Sequence, residues 1–580
     1  MLNMSINSLS RRRFILQTLK SSGFCIASSG IAGTLTSCGG DDGTFEHGVA
    51  SGDPLSDSVI IWTRVTPLKP EHTNSAVTVF WQVATDPEFN QVVVSGSAKT
   101  TAERDYTLKV DIGSLQPATQ YYYRFLSGFR SSPVGFTKTL PEGEVTSTKL
   151  AVVSCSNYPA GYFHVYNAIA QRTDLDAVLH LGDYIYEYAR GEYASENAAA
   201  LNREVLPETE ILSLADYRAR YAQYRSDPDL QAAHHNQPFI CVWDDHEITN
   251  DAWRNGAENH QENEGPYATR LQAALQAYAE WMPVRPPVDS DIAALARNFQ
   301  FGNLVNLNML DTRLVARDKQ LQLSDYFDAD GTFNAAAYGA DIGDPERSLL
   351  GQDQRSWLQH QLTTPAKWQV LGQQVLMGTM ELPAAVVTQQ LSIAEFAELA
   401  QLAQLAQTNP EALSEAQRQL LAEKGPLLQL GNLPYNLDAW DGYPAERAAL
   451  LASAQQIQGD LVVLAGDTHN AWANNLRLND EAVGVEFATS SVSSPGLESF
   501  LGLTTPESVA QTESALTQLI PNLQYANLSD RGYLSLSFSP SEVRAEWIFV
   551  SNIQDTHYDL LAERNQSLTV AHGSKQISTS

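Results

Sequence analysis

Six short apolar segments, each followed directly by polar residues, constrain most strongly what this chain can fold into. They are 150–154, 177–181, 239–243, 304–310, 368–372 and 461–465. Short β-branched segments that alternate with helical patterns are typical of an α/β sheet. Ligands of such sheets bind beyond the carboxyl ends of the strands, so the residues after each segment form the candidate site.

The residues that follow these segments carry metal-binding and titratable groups. In chain order they are Cys155; Asp183 and Tyr186; Asp244, Asp245, His246 and Glu247; Asp311 and Arg313; Gln373 and Gln374; Asp467 and His469. Carboxylates that lie close together cannot all ionise unless a cation offsets their charge. A divalent or trivalent metal is the simplest such cation. The sequence therefore predicts a metal centre at the edge of one sheet.

Each of these residues also has a structural interpretation. The Gly182–Asp183 pair can be a turn, the acidic run around His246 can be a solvated helix cap, and Cys155 can be a small buried apolar residue. These alternatives apply to the residues one at a time. The occurrence of such groups after successive strands favours the metal centre.

The pattern along the chain predicts several regions. Alternating segments at 59–65, 77–83 and 121–125 predict a small all-β domain of fibronectin- or Ig-like type over 45–141. Strands and helices alternate from 148 to 552, which predicts the α/β domain. An Ala/Leu/Gln-rich stretch at 385–430 predicts a helical insertion, and 553–580 is expected to be a loose polar tail.

Residues 1–37 have the pattern of a bacterial export signal. Arginines at 11–13 precede a weakly apolar stretch rich in Gly, Ser and Ala, as in signals of the Tat route. The letters LTSC at 35–38 resemble a lipobox, so we expect a lipidated Cys38 and a tether over 38–44. The alternative is an ordinary signal peptide with an incidental cysteine. A periplasmic or cell-surface protein, attached to the membrane only through Cys38, is expected.

Composition excludes other classes of protein. The 580 residues include 37 basic and 67 acidic side chains, for a net charge of −30, which argues against nucleic acid and anionic lipid surfaces as partners. Four cysteines are too few for a disulfide-based scaffold. A hydrophobic fraction of 43% supports a large core, and a monomer is expected.

The motifs resemble those of PhoD-type alkaline phosphatases, within the calcineurin-like metallophosphoesterase superfamily. They are HGVASGDP at 47–54, WTR at 62–64, SCS at 154–156, GDYIYE at 182–187, WDDHE at 243–247, LDTR at 310–313 and AGDTH at 465–469. The resemblance covers nearly the whole chain after residue 45. It implies a four-layer αββα sandwich preceded by the β-domain.

The chain departs from the wider superfamily at four places, and these departures indicate which metals it binds. Cys155 replaces an aspartate, Asp245 an asparagine, Gln373 or Gln374 a histidine, and Asp467 a histidine. Cys155, Asp183, Tyr186 and His469 would suit Fe³⁺, because thiolate and phenolate donate strongly to it. Asp183, Asp245 and Asp467 would suit Ca²⁺, with Asp183 bridging and Asn250 as a further candidate. The resemblance implies the same pair, with Zn²⁺ or Mn²⁺ as alternatives.

The resemblance implies a phosphoesterase that hydrolyses small organic phosphomonoesters, and diesters as a second class, by in-line attack of a metal-bound hydroxide. His246 is the expected proton donor, with a structural hydrogen bond as its alternative. Arg313 is expected either to clamp phosphate oxygens or to form a core salt bridge. A phosphodiesterase or phospholipase-D-like enzyme, and a non-enzymatic surface binding protein with structural metals, are the rival functions.

Overall fold

A computed structural model describes residues 24–26, 43–68, 75–285, 296–329 and 332–578. Most of the predicted export signal, Cys38 and most of the tether lie outside the described residues. No helix within the described ranges combines the length and the apolar character needed to cross a bilayer.

Ten strands form the first sheet. In spatial order they are β1 (Phe24–Ile26), β8 (Thr107–Ile112), β4 (Val59–Arg64), β3 (Val49–Gly52), β14 (Pro238–Cys241), β13 (Ala177–His180), β12 (Thr148–Val153), β24 (Arg531–Phe538), β25 (Glu542–Val550) and β26 (Gln566–Ala571). Strands β12, β13, β14 and β3 are mutually parallel, so the first three deliver the residues after them to one edge.

The second sheet has seven strands. They are β15 (Arg297–Phe301), β16 (Val305–Met309), β17 (Trp368–Gly372), β20 (Asp460–Ala465), β22 (Glu481–Ala488), β21 (Ala471–Leu478) and β23 (Leu523–Asn527). Strands β16, β17, β20 and β22 are parallel. The six predicted strands are therefore divided between two sheets. This corrects the prediction of a single sheet, because neither sheet alone carries all the candidate residues.

The remaining strands form a third sheet and two small pairs. The third sheet contains β10 (Arg130–Ser131), β9 (Gln120–Ser127), β6 (Val77–Ala84) and β7 (Val92–Thr100), with β11 (Gly135–Lys138) paired to β9. The pairs are β18 (Glu381–Pro383) with β19 (Asn432–Pro434), and β2 (Gly43–Thr44) with β5 (Thr66–Pro67).

Helices pack against one face of each large sheet. They are α1 (His164–Ala170), α2 (Ala198–Leu201), α3 (Leu214–Tyr224), α4 (Pro228–Asn236), α5 (Tyr267–Trp281), α6 (Ala335–Ile342), α7 (Gly351–Gln361), α8 (Ala384–Val387), α9 (Ile393–Thr408), α10 (Glu415–Lys424), α11 (Pro444–Ala454), α12 (Leu497–Phe500) and α13 (Pro506–Leu519). The local sequence explains where several of these helices begin. Ser213, Ser392 and Ser414 each form a capping box at the first turn of α3, α9 and α10. Helices α9 and α10 lie within 385–430, and the status of that stretch as an insertion stays a prediction.

Apolar side chains pack in separate clusters on the two faces of each large sheet. One cluster joins residues of both sheets, such as Leu150, Leu179, Leu307 and Val462. A second cluster packs the other face of the first sheet against α1, α3, α4 and α5, and a third packs the second sheet against α7, α11 and α13. A mixed α/β fold with an all-β N-terminal region is confirmed, whereas the four-layer count and the fibronectin- or Ig-like type stay predictions.

Strands of the N-terminal region and strands of the α/β region belong to the same sheet. Strands β4 and β8 pack against the third sheet through one apolar cluster, as in a sandwich. Strand β3, however, pairs with β14, with Ser51 opposite Pro238 and Gly52 opposite Phe239. The expected loose tail is also corrected, because β26 pairs with β25 over six residues and Leu568 and Val570 are buried.

Candidate metal centre

The loops at the carboxyl ends of strands from both large sheets meet at one place. Cys155, Asp183 and Asp245 come from the loops after β12, β13 and β14, and Asp467 and His469 from the loop after β20. Potential ligand atoms lie within 4.8 Å of one another in three groups: Cys155, Asp183 and His469; Asp183, Asp245 and His246; Asp244, Asp245 and Asp467. Asp183 is shared by the first two groups and Asp245 by the last two, so the groups form one continuous centre.

The backbone turns sharply at these residues. Cys155, Asp183, Asp467 and His469 all have φ between 56° and 63°, a region that non-glycine residues seldom occupy. Loop crowding also explains the glycine before Asp183, because a Cβ at Gly182 would lie 2.3 Å from that of Asp244. Strain of this kind is retained where the surrounding structure holds a functional geometry.

The phenol of Tyr186 lies beside the first group. Tyr186 Oη donates to Asp183 Oδ2 at 3.2 Å and lies 3.3 Å from His469 Nε2. His469 Nδ1 lies 2.7 Å from the carbonyl oxygen of Pro495. A proton on Nδ1 that bonds this carbonyl leaves Nε2, which lies beside the Tyr186 hydroxyl, as the nitrogen able to bind a metal, an arrangement that metal-binding histidines commonly have.

His246 is held by a buried carboxylate. Its Nδ1 lies 2.7 Å from Glu187 Oε2, while Glu187 Oε1 accepts from the Asn250 backbone and from the Asn259 side chain. Burial lowers the pKa of His246, but Glu187, Asp245 and Asp183 outweigh it and raise that pKa well above its ordinary value. The structural hydrogen bond and the role of proton donor are thus compatible, because the bond occupies only one ring nitrogen.

Arg313 contacts the carboxylates of the third group. Its buried guanidinium donates to Asp244, to Asp438 at 2.7 Å and to Asp467 at 3.0 Å, and lies 3.6 Å from Asp245. Every guanidinium nitrogen is therefore engaged by a carboxylate. These contacts match the salt-bridge alternative, and they use three of the five N–H groups of the guanidinium. The role of a phosphate clamp therefore stays a prediction.

The buried carboxylates of the centre need a cation to offset their negative charge. Burial, and then neighbouring carboxylates including Asp244, raise the pKa of Asp467 well above its ordinary value. Burial also raises the pKa of Asp183 well above its usual range and that of Asp244 to about 7, with Asp245 adding to both. Oδ1 of Asp183, Oδ1 of Asp245 and Oδ2 of Asp244 are buried without a hydrogen-bond partner. Metal ions would satisfy these oxygens and keep the carboxylates ionised, so the residues fit a metal centre.

The imidazole, the thiol and the phenol of the centre differ in how burial shifts their pKa values. Burial lowers the pKa of His469 to about 3, so the imidazole is neutral, as a metal ligand must be. Burial, followed by the charge of Asp183, raises the pKa of Cys155 and of Tyr186 well above their ordinary values. A strongly charged cation would therefore be needed to hold the thiolate and the phenolate.

Three other predicted residues have different surroundings. Asn250 Nδ2 donates to the exposed Glu258 at 3.1 Å, so its amide is engaged at the surface. Glu247 orients the loops by accepting from the backbones of Asp183, Tyr184 and Asp244. Gln374 donates to the carbonyl oxygens of Trp243 and Leu310 and joins the strand ends of both sheets.

Sequence reasoning missed the segment that follows β22. Ser494 donates to Tyr186 Oη at 2.7 Å and to the Cys155 carbonyl at 3.1 Å, and the next residue supplies the carbonyl that holds His469. Asp438, which bonds Arg313, was missed as well. The run SSVSS at 490–494, after the apolar strand 483–488, was the available signal.

Comparisons with known proteins cover nearly the whole chain. Residues 150–547 match the family model of the PhoD-like phosphatase, and residues 34–141 match that of the PhoD-like phosphatase N-terminal domain. The first match alone spans more than half of the chain and contains the entire centre described above.

Individual relatives agree with the family models. The chain is 34% identical over 521 residues to alkaline phosphatase D of Bacillus subtilis (strain 168), covering 87% of this chain and 77% of the relative. A solved structure described as the structure of PhoD shares 30% sequence identity, with a TM-score of 0.72 and coverage of 93% of both chains. The chain therefore belongs to the PhoD-like phosphatase family and is a metal-dependent phosphoesterase.

Proposed function

We propose that the protein is an exported alkaline phosphatase that hydrolyses small organic phosphomonoesters, with diesters as a second class of substrate. The observation that carries the proposal is the continuous centre in which Asp183 and Asp245 each belong to two ligand groups. Such sharing is the arrangement needed to hold two or more cations a few ångströms apart, as two-metal phosphoesterases do.

The ligand types support an iron and calcium pair. Cys155, Tyr186 and His469 would hold Fe³⁺ together with Asp183, and Asp183, Asp245 and Asp467 would hold Ca²⁺. Asn250 would bind Ca²⁺ through Oδ1, an atom that its Nδ2 bond to Glu258 leaves available. When bound, the metals would supply positive charge for the phosphate oxygens and acidify a water molecule that attacks phosphorus in line.

The chain itself would supply the proton for the leaving group. Glu187 holds Nδ1 of His246, so Nε2 is the nitrogen that would donate to the departing alcohol oxygen. Glu187, Asp245 and Asp183 raise the pKa of His246 and so favour the protonated ring that a proton donor requires. Arg313 would stabilise the acidic loops through its ion pairs with Asp244, Asp438 and Asp467.

Location and attachment rest on the N-terminal sequence. The arginine-containing signal and the lipobox support export by the Tat route and a lipid anchor on Cys38, with the protein in the periplasm or at the cell surface. The charge of −30 supports a monomer without nucleic-acid partners.

Metal content and activity test the proposal together. Because Asp183 is common to two groups, Asp183→Ala should remove both metals and lower kcat by about a thousandfold or more. We would measure the metal content of wild type and variant by elemental analysis. We would also measure the visible absorption of an iron–tyrosine pair and the rate of phosphomonoester hydrolysis. Asp559→Ala, at an exposed position, is the control. Full activity in protein that contains neither iron nor calcium would reject the metal assignment.

A further inference from the structure

An apolar cavity of about 630 Å³ lies between the helical insertion and helices α12 and α13. Its walls include Met380, Leu382, Val387, Leu503 and Leu516. None of the eighteen lining residues that the structure describes carries a charge, although the chain as a whole is rich in acidic residues. The volume lies in the range of small-molecule sites, about 300–1000 Å³.

The inner wall of this cavity contacts the loop that carries Asp467 and His469. Trp472 lines the cavity, and its Nε1 donates to Oγ1 of Thr468 at 2.9 Å. Leu497, another lining residue, donates from its backbone to Oδ1 of Asn470 at 3.2 Å. Thr468 and Asn470 flank His469, so the cavity wall is one hydrogen bond from the metal-site loop.

The outer rim exposes large apolar side chains. Phe500 and Leu501 of the α12 region line the cavity and are 70% and 45% exposed. Exposure of adjacent large apolar residues is unfavourable in water and marks surfaces that bind apolar groups. The rim and the interior are thus suited to the same kind of ligand.

We propose that this cavity binds the alkyl or aryl group of the alcohol part of a phosphate ester whose phosphate lies at the metal centre. The inference deepens the proposed function and rests on it. The uncharged lining disfavours the phosphate itself, because a buried anion needs donors or cations. The adjacent metal site supplies the positive charge for the phosphate. Together the two sites favour an ester with one anionic and one apolar end.

A series of n-alkyl phosphates, from methyl to octyl and below the micellar concentration, tests the proposal on metal-loaded full-length protein. Burial of each methylene is worth about 0.8 kcal/mol, or up to about fourfold in kcat/KM. We expect kcat/KM to rise with chain length. In Leu501→Asp and Phe500→Ser, the ratio of kcat/KM for octyl phosphate to that for methyl phosphate should fall about tenfold or more.

The control variant is Leu560→Asp, which changes an exposed leucine that is 52% accessible and outside the cavity lining. It should leave the ratio as in the wild type. A wild-type kcat/KM that stays flat from methyl to octyl, or a ratio that both rim variants leave unchanged, would overturn the proposal. Such a result would assign the cavity to another occupant, such as a protein segment.

Direct binding separates failure of this inference from failure of the proposed function. Octylphosphonate and methylphosphonate are not hydrolysed, so calorimetry measures their affinity independently of turnover. We expect octylphosphonate to bind the wild type about tenfold or more tightly than methylphosphonate, with a negative heat-capacity change. If no ester is hydrolysed but this preference holds, only the proposed reaction fails. Equal affinities would reject the apolar subsite even in an active enzyme.

Discussion

Individual residues around the centre act mainly by holding the ligands and the proton donor in place. Ser494 and the Pro495 carbonyl hold Tyr186 and His469, and Glu187 holds His246. Such outer contacts commonly change metal affinity or activity by about 10–100-fold when they are removed. Substitutions of these residues should therefore have effects that can be measured, as substitutions of the ligands do.

Glu187→Gln tests the link between Glu187 and His246. The substitution removes a negative charge that raises the pKa of His246, so that pKa should fall. We expect kcat to drop about 10–100-fold with little change in KM, and the alkaline descending limb of the kcat–pH profile to move to lower pH. Glu262→Gln, at an exposed position, should leave the profile unchanged. A variant whose descending limb stays in place would exclude His246 as the titrating donor.

At the scale of elements, the ends of strands from two sheets are joined by buried side chains. Gln374 is one of the two glutamines that stand where the wider superfamily has a histidine. Its Nε2 bonds the carbonyl oxygens of Trp243 and Leu310, and its Oε1 accepts from Thr312. The amide thus connects β14 of the first sheet with β16 of the second and has no donor atom facing the metal groups.

Gln374→Leu should destabilise the protein without removing a ligand. It leaves the two carbonyl oxygens and the Thr312 hydroxyl buried without partners, at about 1–3 kcal/mol each before relaxation. We expect the free energy of unfolding, measured in urea on metal-loaded protein, to fall by at least about 2 kcal/mol. The exposed Gln359→Leu should change it by less than about 0.5 kcal/mol. A loss of iron or calcium without a loss of stability would assign Gln374 to the metal site instead.

At the scale of the whole molecule, the N-terminal strands and the metal-bearing strands share one sheet. The close pairing of β3 with β14 requires glycine at position 52, because a Cβ there would lie 2.7 Å from the carbonyl oxygen of Phe239 in β14 and 2.2 Å from that of Pro283. The side chain of Arg297 also bonds Asp53, across the same junction. The two regions are therefore physically continuous beside β14, the strand that leads into Asp244 and Asp245.

The acidic centre should make the stability of metal-free protein depend on pH. The pKa of Asp244 is raised from its ordinary value near 3.8 to about 7, so its contribution to stability is present below about pH 4 and is lost as pH rises toward 7. In chelator-treated protein, Tm should fall by several degrees between pH 5 and 7, and Asp244→Asn should reduce that fall. Metal-loaded protein is the reference. An identical pH dependence in the variant would contradict the assigned ionisation.

The sequence by itself determined the α/β class, the all-β start, the helices within 385–430 and most of the residues that converge. These follow from local pattern, because apolar periodicity sets strands and the polar residues after parallel strands meet at sheet edges. Only the tertiary structure decided that two sheets share the centre, that Arg313 is enclosed by carboxylates, and that Ser494, after a strand of the second sheet, holds Tyr186 of the first. Those facts depend on which segments pack together across hundreds of residues, and no local pattern encodes such long-range pairing.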